Sequence, residues 1–343
     1  MGAIDYLCLT MKAIIPLAGM GSRLRPHSQT QPKSLIPVAG KPILGHIMDS
    51  LVQAGVKECV FIVGYLGDRI ESYISGHYPT VKSHYVIQTT SKGNGHAIWL
   101  AREQFAPDEP ALIVLGDTIF EADLAGVIAE GKNALGVKKV EDPRLFGVAE
   151  LDDSGRIRRV VEKPQIPHSN LALVGLYYIK DSRLLFHCLG HNIENQVRTQ
   201  NEFHLTDGIQ CMLAQGSDFN PFTVKTWFDC GKKDIILQTN RTLLKQRAAE
   251  SYEALKSKGN IVVPPVYIHP SAQIENSIIG PDVSIGENAK IARSIVRNSI
   301  IGQQAELTHA ILENSLLGAD ASLMGPVQSL NIGDSAEINL RDS

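Results

Sequence analysis

Met11-Lys12-Ala13-Ile14-Ile15-Pro16-Leu17-Ala18-Gly19-Met20-Gly21-Ser22-Arg23-Leu24-Arg25-Pro26, followed by Pro32-Lys33-Ser34, is the stretch that decides the fold. Met11 to Leu17 is apolar and rich in β-branched side chains, the texture of a buried strand, so the glycines fall where a strand gives way to a turn. Gly19 and Gly21 let backbone N–H groups approach an anion with no Cβ in the way. Arg23 and Lys33 add two cations that neither a core nor a plain turn needs. Together they point to a polyphosphate ligand. The bland alternative, a glycine turn beside a surface arginine, covers the glycines but not Pro32-Lys33.

Two familiar phosphate loops do not fit. A dinucleotide fingerprint needs a third glycine where Leu24 stands and an acidic residue about 20 positions on, and around Gly40-Lys41-Pro42 there is none. A P-loop needs Gly-Lys-Ser/Thr, which neither Gly40-Lys41-Pro42 nor Gly231-Lys232-Lys233 supplies.

Working outward, Pro42 to Ala54 reads as a helix with proline in its first turn, and Cys59 to Val63 as a short apolar strand. A helix over Gly67–Ser75, a strand over Ser83–Gln88, a helix over His96–Phe105 and a buried strand over Ala111–Leu115 follow. This alternation predicts an α/β fold with a mostly parallel sheet covered on both faces, and ligands beyond the carboxyl ends of its strands. Gly116-Asp117 stands at such an end. Asp117 alone could equally cap a helix beginning near Ala122. Glu162-Lys163-Pro164 ends a strand over Arg156–Val161, where a solvated ion pair is the ordinary reading. Arg156, Arg158 and Arg159, beside a turn at Asp152–Gly155, read as a solvated strand face.

The run Leu-Ala-Gly-x-Gly-Ser-Arg-Leu-x-Pro, with Pro-Lys-Ser shortly after and Glu-Lys-Pro at 162–164, resembles the signature of the sugar-phosphate nucleotidylyltransferases, the nucleotide-sugar pyrophosphorylases. The similarity extends over nearly the whole chain after residue 11. Met20 departs from the family's usual glycine, and His27-Ser28 from its Leu-Thr, which bears on loop conformation more than on reaction type. The resemblance implies a Rossmann-like, mainly parallel mixed sheet with helices on both faces, and a site assembled from distant segments. Leu17, Ala18, Gly19, Gly21, Ser22 and Arg23 would hold the triphosphate, while Gln88 and the backbone at Gly93 would read the base. Gly147, Glu162, Lys163, Val174 and Tyr177 would take the sugar 1-phosphate, and the segment Glu202–Asp207 would help to wall the sugar pocket. Asp117 and Asp229 would bind Mg²⁺, and Arg23, Lys33 and Lys163 would be the catalytic cations. Gln suits a pyrimidine edge because it carries both donor and acceptor. The form Gly93-Asn94-Gly95-His96-Ala97 looks like uridylyltransferases, whereas overall length and tail look like thymidylyltransferases, so dTTP and UTP both stay open, as does the sugar, with glucose 1-phosphate favoured.

The 343 residues suffice for about two domains. A net charge of -3 lacks the basic face that nucleic-acid binding needs. Five cysteines, scattered and never in a Cys-x-x-Cys pair, signal neither a disulfide framework nor a zinc knuckle and suit a reducing cytoplasm. No apolar run reaches 18 residues, so no membrane helix is expected.

From Ile261 the texture changes. Ile268 and Ile274, then Ile279, Ile285 and Ile291, then Ile301 and Leu307, then Leu317 and Leu323, recur at a spacing of six. This is the pattern of a short left-handed hexapeptide-repeat β-helix, one aliphatic side chain per strand stacking inward. The expected organisation is an N-terminal extension over 1–10, a nucleotidyltransferase domain over 11–247, a linker over 248–262 and the β-helix over 263–343, in a homo-oligomer. Two rival functions are a catalytically silent regulatory subunit of the same fold and a bifunctional protein whose β-helix transfers acyl groups, with His309 as its base.

Overall fold

The computed structural model describes residues 11–247, 252, 255 and 258–325. The expected extension, most of the linker and the end of the tail lie outside them. The chain divides into two compact units, one running to Thr239 and the other from Asn240.

The first unit is built on a nine-stranded mixed sheet. The opening strand, Lys12–Pro16, lies inside it, parallel to Glu58–Val63 on one side and to Ala111–Val114 on the other. Lys82–Ile87 extends the first side, and Leu171–Ile179 pairs antiparallel with Ala111–Val114 on the second. Gly147–Leu151 and Ile157–Glu162 continue outward, while Ala134–Lys139 and Asn220–Thr223 branch from Leu171–Ile179. Chain order therefore reverses at the opening strand. A crevice opens where loops leave neighbouring strands in opposite directions, and here those loops begin at Leu17 and at Leu115. Ile14, Val60, Ile62, Ile113, Leu135 and Ile179 are buried in the core beneath.

The helices follow the apolar pattern closely. Ile43–Gln53 begins directly after Pro42, and Gly67–His77 lies where expected. The helix expected over His96–Phe105 starts at Asn94, ends at Leu100 and tightens into a 3₁₀ turn over Ala101–Gln104. The helix after Asp117 is Leu124–Glu130, and Asp123, not Asp117, caps it by accepting from the Gly126 N–H at 2.9 Å. Asp117 is left for other chemistry.

In the second unit three parallel sheets of four short strands each run side by side in sequence order, the arrangement of a three-faced β-helix and consistent with the left-handed form. Register aligns Ile274 with Ile291 and Leu307, and Ile285 with Ile301. These side chains are buried. Corners take positive φ at Asn276, Asp282, Asn288, Arg293 and Asn298, largely the polar residues that tolerate it. A second ladder, of hydroxyls, accompanies the apolar one: Ser277 Oγ accepts from the Ser294 N–H and Ser294 Oγ from the Ala310 N–H, both at 3.1 Å.

Candidate active site

The loop after the opening strand turns through Gly21, at φ +59°, into a 3₁₀ turn over Ser22–Leu24. Only glycine takes that angle at no steric cost. Ser28 pins the turn, its hydroxyl donating to the Gly21 carbonyl at 2.8 Å. A Cβ at Gly19 would meet nothing within 4 Å, so the backbone there faces open space. Met20, where the family usually has glycine, directs its side chain outward and is 62% exposed.

Asp117 and Asp229 are brought together by a hairpin-like pair of strands. Thr226–Asp229 runs antiparallel to Thr118–Glu121 with Asp229 opposite Thr118, and the Cys230 N–H donates to the Asp117 carbonyl at 2.9 Å. Burial and the neighbouring Asp117 carboxylate push the Asp229 carboxyl up, while Lys33 and Arg23 pull it back. Lys33 Nζ lies 2.5 Å from Asp117 Oδ2. Arg23 reaches the same corner, its Nη2 within 3.1 Å of where a Cβ on Gly231 would stand. Two adjacent carboxylates at strand ends, with no third His, Cys, Asp or Glu grouped with them among the described residues, form a hard-oxygen set. That fits Mg²⁺, which takes one or two carboxylates and fills the rest of its octahedron with water and phosphate oxygens.

Glu162, largely buried, accepts from the Thr206 hydroxyl at 2.7 Å, and its other oxygen lies 3.4 Å from His204 Nδ1 and 3.7 Å from Lys163 Nζ. The Glu162-Lys163 pair is thus held from several sides, unlike a solvated surface pair. Gly147 and Val174 sit close by, Val174 where Leu171–Ile179 slips register against its neighbour between Leu173 and Tyr177. Such a bulge re-aims side chains toward a ligand.

The residues that the resemblance assigns to the nucleotide, the sugar phosphate and the metal line one cleft of about 960 Å³: Leu17, Ala18, Gly19, Gly21, Ser22, Arg23, Lys33, Gln88, Gly93, Asp117, Gly147, Glu162, Lys163, Val174, Tyr177 and Asp229. Every cleft residue belongs to the first unit. Sequence reading missed two further cations there. Arg144 is clamped by Asp142 through bonds of 2.7 and 2.8 Å, and Lys232 follows Asp229 by three residues. The only available signal was their closeness to motif residues. His309 sits exposed at a β-helix corner with φ +54°.

The family model described as nucleotidyl transferase matches residues 12–246. The chain belongs to that family. Among relatives of this nucleotidyl transferase, a glucose-1-phosphate thymidylyltransferase of Streptomyces griseus is 29% identical over 85% of this chain and 87% of its own length. A UTP–glucose-1-phosphate uridylyltransferase of Haloferax volcanii is 31% identical over 70% of this chain and 97% of its own. A solved structure of a putative glucose-1-phosphate thymidylyltransferase from Bacillus anthracis, in complex with a sucrose, superposes with a TM-score of 0.60 at 26% identity, covering 70% of this chain and 98% of that one.

Proposed function

We propose that this nucleotidyl transferase joins a nucleoside triphosphate, dTTP or UTP, to a sugar 1-phosphate, with glucose 1-phosphate the first candidate, releasing pyrophosphate. The observation that carries the reading is the convergence of Arg23, Lys33 and Lys163 with the Asp117–Asp229 pair on one cleft. An oxygen of the sugar phosphate attacks the α-phosphorus, a new P–O bond forms in line, and the bond to the bridging oxygen of the β-phosphate breaks. The nucleophile is already an anion, so no general base is required. What the protein must do is bring two polyanions together and neutralise the charge that accumulates between them.

In this reading Lys163 holds the attacking phosphate and Glu162 accepts from sugar hydroxyls. Arg23, Lys33 and the backbone near Gly19 hold the β- and γ-phosphates and receive the departing pyrophosphate. Asp117 and Asp229 would hold Mg²⁺, whose contribution is to draw charge from the phosphate oxygens. Pyrophosphate release measured over a grid of triphosphates and sugar 1-phosphates with Mg²⁺ tests the proposal. Turnover with UTP or dTTP is the expected result. Inactivity across the whole grid would replace it with the silent subunit, and consumption of acetyl-coenzyme A would add the acyltransferase.

A further inference from the structure

Away from the cleft, the packed helices Ser182–Glu194 and Leu205–Ala214 bring two cysteines together. Nε2 of Gln215 lies 3.5 Å from Cys188 Sγ and 3.4 Å from Cys211 Sγ, so one amide donor stands against both sulfurs. The two thiols are also within hydrogen-bonding reach of each other. Gly208 accounts for the closeness. It precedes Cys211 by one turn on the same helix face, and a Cβ there would lie 2.5 Å from Cδ2 of Leu189, the neighbour of Cys188. Cysteines on facing helices can bond only where their Cα atoms come within about 7 Å, and a glycine at the crossing is what lets the backbones draw that near.

The pair is asymmetric. Of the cysteines described, Cys211 alone is not buried. Burial, and then the Cys211 thiol beside it, push the Cys188 thiol up, so Cys188 keeps its proton. A small oxidant therefore meets Cys211 first, with Cys188 directly behind it in place to resolve the oxidised sulfur. Gln215 is an exposed side chain, free to leave the gap between the sulfurs. Neither cysteine lines the cleft.

We propose that Cys188 and Cys211 form a reversible dithiol that a hydroperoxide converts to a disulfide, stapling the helix whose first turn carries Thr206 to the helix packed against it. The Cys211 sulfur takes the terminal hydroxyl of the hydroperoxide and becomes a sulfenic acid; the O–O bond breaks, and the departing oxygen leaves as water or an alcohol with the Cys211 proton. The Cys188 sulfur then attacks the sulfenic sulfur, the S–O bond breaks, and the hydroxyl leaves as water with the Cys188 proton. Two thiols give up two electrons and the hydroperoxide accepts them. The inference stands apart from the nucleotidyl-transfer reading, because nothing in it uses the cleft.

The test treats the reduced full chain with hydrogen peroxide, alkylates what remains free, and digests with trypsin without reductant. Cleavage after Arg183, Arg198 and Lys225 puts Cys188 in peptide 184–198 and Cys211 in peptide 199–225, each with no other cysteine. The expected product is the joined pair, lighter by two hydrogens than the two reduced peptides together and separated again by dithiothreitol. In Cys188→Ser the joined pair is lost and dimedone captures Cys211 as its sulfenic acid; in Cys211→Ser, Cys188 stays a free thiol. Wild-type protein in which Cys211 stays reduced, runs on to sulfinic acid or joins a different cysteine overturns the proposal. So does a Cys188→Ser protein whose Cys211 takes up no more dimedone than wild type. If Cys188→Ser does not fold, Cys188→Ala is measured in its place.

Discussion

Lys163 adopts φ +41°, a left-handed angle that costs a side-chain-bearing residue about 1 kcal/mol or more. Its N–H donates to the Phe146 carbonyl at 3.0 Å, which holds the backbone in that turn and brings the ammonium into the cleft. Strain of this kind clusters at active sites and ligand clamps. Lys163→Gly should therefore keep or raise the melting temperature, while turnover falls by on the order of a hundredfold or more with the loss of a preorganised cation. A melt and a pyrophosphate assay on the same sample check both halves. Asp229 gives a second test at this scale. Its carboxyl is pushed up by burial and by Asp117, so the native state keeps that proton to higher pH than the unfolded chain. Stability from this group is therefore present below the ordinary carboxylate range and declines as pH rises through the native value. Asp117→Asn removes the like charge, so in chelator the Asp229 titration should move down and the decline should flatten. Carboxyl ¹³C shifts followed against pH report the movement directly.

At the scale of elements, the site depends on a close approach between two loops far apart in sequence. Gly93, at φ +100°, packs against the segment Glu202–His204, and a Cβ there would lie 2.4 Å from the Phe203 carbonyl oxygen. The Gly95 N–H donates to that same carbonyl at 2.8 Å, and the Phe203 N–H to the Lys92 carbonyl at 2.9 Å. The loop over Lys92–Gly95 and the segment Glu202–His204 are in this way one hydrogen-bonded unit. Gly93→Ala combines backbone strain with a backbone clash, and should cost on the order of 2 kcal/mol or more in chemical denaturation. It should also raise KM for both substrates, because the two walls would have to separate. A variant that alters KM for the triphosphate alone would show that the walls are independent.

For the whole molecule, the two units owe their order to different physics. The first buries a sheet beneath helices, whereas each coil of the β-helix buries little by itself and gains its core from the coil stacked upon it. Ile285 is fully buried and lies in register between Ile268 and Ile301. Replacing it with alanine should destabilise the array by about 2–5 kcal/mol, and hydrogen exchange should show the loss in the strands Val266–Ile268 and Ile300–Ile301 first. Among the described residues no helix is long and apolar enough to cross a membrane.

Local chemistry by itself determined much of this protein. The alternation of apolar runs, the glycine turn after Leu17 and the six-residue aliphatic period are short-range patterns, and the backbone obeys them because burial and φ preference act residue by residue. The alternative roles of Asp117 show where such patterns stop, since cap and ligand read alike in a Gly-Asp dipeptide until Asp123 is seen to take the capping bond. Tertiary structure alone decided which polar groups meet: the register that sets Asp229 opposite Thr118, the reach of His204 to Glu162, and the contact between Gln88 and His96. Those contacts depend on the orientation of elements packed across the fold, and distance in space leaves no periodic trace along a single chain.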